Sequence, residues 1–219
     1  DRTAARATTS HLATTWTPAA ETTVEVSASH HEDTSHFPGG LTNATVERDR
    51  RNPGSFNGFF QDTISTVGAT LTRRLGEAWT LVGHLDARRW ESDSTTTSTF
   101  ANLSQSRSGG LRVAHEWQRP SVSATTVVGL ELYEDKATTG TRGAALSESN
   151  RDGGAAFIEE TLKLFERWIL TAGFRYDRSD YEEALTFPTF EGTLLFNGRS
   201  PKVGVTYLVN DRASVYASW

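Results

Sequence analysis

The densest group of potential metal ligands in this chain is the run Ser29-His30-His31-Glu32-Asp33-Thr34-Ser35-His36. Three imidazoles and two carboxylates so close together can coordinate a transition metal or a haem iron, which makes His30, His31 and His36 the candidate metal ligands. The run reads as part of a polar loop, where such spacing fixes no geometry and such residues collect for solubility alone. The chain holds no cysteine, so it offers no thiolate site, disulfide or thiol nucleophile. It also lacks a Gly-x-Ser-x-Gly elbow, a His-Glu-x-x-His pair and a phosphate-cradling glycine loop. No enzyme activity and no cofactor are expected.

Other polar side chains fall at alternating positions. His84, Asp86, Arg88 and Trp90 share one parity and Trp79, Leu81, Gly83, Leu85 and Ala87 the other. Glu131 and Tyr133 alternate with Leu130 and Leu132, and Arg175 and Asp177 with Phe174 and Tyr176. Successive strand residues point to opposite faces, so each stretch is a strand with one apolar and one wet side. Two residues break the pattern: Glu160 shares the parity of Ile158, Leu162 and Leu164, and His115 interrupts the apolar side of its strand.

The elements carrying these residues repeat along the chain. Alternating segments meet at tight turns near residues 19, 77, 119, 166 and 210, and long polar stretches separate the hairpins at about 29–61, 91–105, 134–153 and 180–198. About ten strands result. Many approach the roughly 9 to 11 residues that cross a bilayer at a tilt, and alternating short turns and long excursions are the habit of outer-membrane barrels. Trp16, Trp79, Trp117 and Trp168 all stand beside the short turns, as an interfacial belt would. With 219 residues, 36% of them hydrophobic, the chain has no run that could span a membrane as a helix. Its mean hydropathy of -0.47 also suits a barrel, in which polar and apolar residues alternate. A net charge of -5 and scattered arginines give no footprint for nucleic acid. The absence of methionine suggests a processed or partial chain.

The stretch Phe157 to Arg178 runs Phe-Ile-Glu-Glu-Thr-Leu-Lys-Leu, a tight Phe-Glu-Arg turn, then Trp-Ile-Leu-Thr-Ala-Gly-Phe-Arg-Tyr-Asp-Arg. Ser200 to Trp219 adds Ser-Pro-Lys-Val-Gly-Val-Thr-Tyr and Ser-Val-Tyr-Ala-Ser. This last third closely resembles the barrel of TonB-dependent outer-membrane receptors. The resemblance implies an all-β, antiparallel, up-and-down transmembrane barrel segment over 1–219, with short periplasmic turns and long extracellular loops. It implies a Gram-negative outer-membrane receptor for TonB-energised uptake of a scarce nutrient, most commonly a ferric siderophore. The plug domain and the TonB contact would lie outside this chain, and membrane lipid would surround it. Family members bind ligands with loop and wall residues, which makes Arg88, Trp90, Glu131, Tyr133, Arg175, Asp177 and Tyr181 the candidate ligand contacts. A passive porin-type barrel and a soluble all-β adhesin or binding module are the alternative expectations.

Overall fold

In a computed structural model, which describes residues 5–38, 57–95, 99–141, 144–186 and 189–219, the chain forms one antiparallel sheet of ten strands. In order these are β1 (Ala5–Ala19), β2 (Thr22–Pro38), β3 (Asn57–Leu75), β4 (Trp79–Thr95), β5 (Thr99–Arg119), β6 (Val122–Thr141), β7 (Ala144–Leu164), β8 (Trp168–Thr186), β9 (Thr189–Asn210) and β10 (Ala213–Ser218). Each pairs only with its neighbours in sequence, so the topology is up-and-down and β1 and β10 leave the sheet open.

The turns fall where the sequence places them, and two of them show a local cause. Between β3 and β4, Gly76 adopts a φ of 73°, which glycine takes without a Cβ clash. Between β7 and β8 the same left-handed geometry is forced on Phe165 (φ 51°) and Glu166 (φ 61°), and the turn closes with Arg167 N–H donating to the Leu164 carbonyl at 3.1 Å. Positive φ at both central residues is the type I′ turn geometry, whose backbone twist matches that of the flanking strands.

The long polar stretches differ from expectation. Most of 29–38, 57–61, 91–95, 99–105, 134–141, 144–153, 180–186 and 189–198 continues as regular strand. Polar alternation hid this: a strand that leaves the apolar band loses its hydrophobic period but keeps its ladder. Over the described residues, the excursions are therefore continued β-strands rather than irregular loops. The charged run Glu47-Arg48-Asp49-Arg50-Arg51 lies outside the described residues.

The described residues form no conventional core. Among the described residues only Ala124 and Ala155 are buried hydrophobics, whereas 29 large apolar side chains are exposed. On β6, Val128, Leu130 and Leu132 are exposed while Val127, Gly129, Glu131 and Tyr133 are half-buried. On β8 the exposed set is Trp168, Ala172, Phe174 and Tyr176, alternating with half-covered Thr171, Gly173, Arg175 and Asp177. A single-layer sheet with one face systematically better covered is curved toward that face. Here the concave face carries the polar residues and the convex face the apolar ones.

Candidate functional site

The concave wall is built around Arg175. Its Nη1 lies 2.7 Å from Glu131 Oε2 on β6, and its Nε donates to Asp177 Oδ1 at 2.9 Å and Oδ2 at 3.1 Å. The guanidinium carbon lies 6.0 Å from the centre of the Phe157 ring on β7. Three strands thus meet in one cluster, and small residues make the crossing possible. Ala155, 7% exposed, stands in register between Glu131 and Asp177, so the guanidinium reaches from β8 to β6 above its methyl group. Phe157 lies flat across Gly129, where any Cβ would strike its ring.

Tyr133 forms a second contact with Arg151, which donates to its hydroxyl at 3.2 Å and places its guanidinium carbon 4.8 Å from the ring centre. The register sets Tyr181 opposite Arg151. Tyr133 lies over Gly153, where a Cβ would come within 2.6 Å of the ring. Lys202 likewise crosses above Gly173 to pair with Glu159. Glu131, Tyr133, Arg175, Asp177 and Tyr181 therefore belong to one stretch of wall on β6 to β8.

Arg88 and Trp90 belong to another stretch. Trp90 Nε1 donates to Asp62 Oδ1 at 3.0 Å, and Arg88 lines a hydroxyl-rich notch of about 260 Å³ with Ser27, Thr66, Asp86, Ser106 and Ser108. Sequence reasoning missed Arg151, Phe157 and Asp62. Phe157 and Arg151 share the inward parity of Glu159, but Arg151 sat in a stretch read as a loop, and Asp62 fell between such a stretch and the alternation that resumes at Val67, so parity was not applied to either.

The histidine run, expected in a polar loop, is strand. It lies within β2, so His30 and His31 project to opposite faces, and His36 stands six residues further along the strand from His30. His30 contacts Ser65 at 3.0 Å and Glu32 at 3.2 Å, and His31 contacts Thr9 at 2.8 Å. Among the described residues no three His, Cys, Asp or Glu side chains converge on a metal position.

On the convex face the two exceptions to the apolar pattern fall in one row. Register aligns Trp79, His115, Thr126, Glu160 and Ala172 across β4 to β8. Thr126 Oγ1 donates to Glu160, and the His115 ring packs 4.2 Å from the Trp79 ring at 33°. The carboxylate is thus paired and the imidazole is shielded by indole. Farther from the short turns, Lys136 lies 2.6 Å from Glu134, and its hydrogen bond holds that carboxyl below the usual carboxylate range.

An exposed apolar face over a half-buried polar one fits the wall of a membrane barrel. A family model for the TonB-dependent receptor-like β-barrel matches residues 6–219. The chain belongs to the TonB-dependent receptor β-barrel family. This family comprises outer-membrane receptors and transporters of Gram-negative bacteria rather than enzymes. A comparison with curated proteins finds no match. Among solved structures, the unliganded ferric citrate transporter FecA superposes with a TM-score of 0.81 at 13% identity, over 100% of this chain and 36% of its own. The ferric-catecholate import receptor Fiu from E. coli K12, in its closed form, gives 0.79 at 11% identity, over 100% and 43%. The copper transporter OprC gives 0.67 at 16% identity, over 98% and 36%. These likenesses establish the fold, and the chain spans well under half the length of each of these receptors.

Proposed function

We propose that this chain is a wall section of a TonB-energised outer-membrane receptor that takes up a scarce nutrient, a ferric siderophore being the best-supported class. The carrying observation is the pairing of an exposed apolar convex face with a polar, arginine-bearing concave one, in a member of this barrel family. The Arg175–Glu131–Asp177 cluster with Phe157, and the Tyr133–Arg151 pair beside Tyr181, offer cation, carboxylate and aromatic surface on one wall. That mixture suits a bulky chelate carrying charge and rings. Arg88 and Trp90 would touch the ligand from a neighbouring stretch. The plug, TonB and the rest of the barrel are the implied partners.

The register supports the membrane placement. The row through Trp16 reaches Gly83, four residues from Trp79; Trp117 lies two residues beyond the row of Trp79, and Trp168 two beyond the row of Trp117, always toward the short turns. From Trp16 to Trp168 the offset corresponds to a mean strand tilt of about 38°, taking ~3.3 Å per residue and ~4.8 Å per strand, within the ~35–45° of such barrels. Trp16, Trp79, Trp117 and Trp168 would then form an interfacial belt at the periplasmic side.

The first test is fractionation of cells carrying the full-length protein, with gel mobility compared before and after boiling. Outer-membrane recovery with heat-modifiable migration is expected; soluble recovery without a shift would sink the proposal. Next, Arg175→Ala in the full-length receptor should weaken binding of its ferric chelate about tenfold or more, by loss of charged hydrogen bonds. Unchanged binding across a siderophore panel would remove this wall from the ligand path.

A further inference from the structure

Two hollows on the convex face adjoin one another at the far edge of the apolar band. Leu85, Gly109, Leu111, Leu130 and Leu132 line a groove of about 600 Å³. Leu85, Leu130 and Leu132 are 68%, 60% and 70% exposed, and Gly109 stands in register between Leu85 and Leu132 as the floor. Arg107 lines the end of this groove and also the next hollow, of about 290 Å³, which Arg89, Gln105 and Ala87 share. Register places Arg107 opposite Ala87 and Arg89 opposite Gln105, so the two arginines are diagonal neighbours about 7–8 Å apart at their backbones. Glu91 pairs with Arg89, whereas Arg107 meets Glu134 only at 3.8 Å and its side chain is 74% exposed.

The position of these arginines along their strands matters as much as their spacing. Arg89 lies ten residues from Trp79 on β4, and Arg107 ten residues from Trp117 on β5. At the tilt given above, ten residues rise about 26 Å, the ~25 Å height of the apolar band in outer-membrane barrels. With the tryptophans at the periplasmic interface, both guanidinium groups stand at the opposite one, directly above the leucine groove. An arginine pair takes phosphate oxygens in forked hydrogen bonds, and leucines around a glycine floor take a hydrocarbon chain.

We infer that this face is a specific site for a phosphorylated lipid of the outer leaflet, with an acyl chain in the Leu85–Leu132 groove and a phosphate between Arg89 and Arg107. The inference rests on the membrane placement proposed above. The test uses the full-length receptor in phosphatidylcholine nanodiscs supplied with bisphosphorylated lipid A or its dephosphorylated form, with retained lipid read by native mass spectrometry. The wild type should keep the phosphorylated form about tenfold better. The Arg89→Gln/Arg107→Gln variant should lose that preference, and Arg167→Gln, at the short-turn end, should keep it. Heat-modifiable migration of each variant reports folding independently. A folded, heat-modifiable receptor that holds both lipids equally, or a double variant with unchanged preference, overturns the lipid site alone. Soluble recovery without heat modifiability overturns the membrane placement and the site with it.

Discussion

The two polar residues that interrupt the apolar face show how a lipid-facing strand accommodates them. Glu160 is opposed by Thr126, whose hydroxyl donates to it, and His115 is covered by Trp79. A carboxylate without that donor would keep its desolvation cost with nothing to offset it. Thr126→Val is therefore expected to destabilise the barrel by about 1–3 kcal/mol. Glu160→Leu should be neutral or stabilising, and the double variant should recover most of the loss, because the penalty belongs to the orphaned group. Guanidinium midpoints of the four proteins in detergent check this. If the double variant loses as much as Thr126→Val does, the pairing is not what keeps Glu160 on this face.

At the scale of elements, the strands are fixed by packing that a one-dimensional reading only partly exposes. Alternation from Trp79 to Ala87, Val122 to Leu132 and Trp168 to Tyr176 was legible because lipid and water impose opposite preferences on successive side chains. It failed for Ser29–His36 and Glu134–Gly153, where both faces of the hairpins are polar and no period remains. The candidate wall was half legible for the same reason: Arg175, Asp177, Glu131 and Tyr133 had parity to mark them, whereas Arg151 and Asp62 did not. Nor does a sequence reveal that Gly129 is the seat of the Phe157 ring beneath Arg175. Gly129→Val should unseat that ring and disturb the Arg175–Glu131 contact. Ligand affinity should then fall about as far as in Arg175→Ala while heat-modifiable migration persists; unaltered affinity would separate the glycine seat from ligand binding.

At the scale of the whole molecule, the ten described strands leave two free edges, at β1 and β10, which the proposed receptor wall would have to pair. β1 has an unpaired side, and β10 with Trp219 pairs the Val203–Asn210 end of β9. Residues 1–219 alone, in water, are expected to aggregate through these edges and the exposed apolar face. A monomeric preparation with a cooperative melt in buffer would count heavily against the wall assignment. In the full-length receptor, brominated lipids should quench Trp16, Trp79, Trp117 and Trp168 from a common depth and leave Trp90, on the concave face, bright. Single-tryptophan variants give that comparison, and four unrelated depths would remove the belt.

The glycine seats also bear on passage. Phe157, Tyr133 and Lys202 each lie along the wall over a neighbouring strand's Gly129, Gly153 or Gly173 instead of standing toward the axis. In a barrel closed as proposed, large side chains stored sideways would keep the bore clear while their rings and charges still faced it. A cargo would meet a surface of aromatic faces and guanidinium planes rather than a comb of projecting tips, with room to slide once whatever fills the bore gives way.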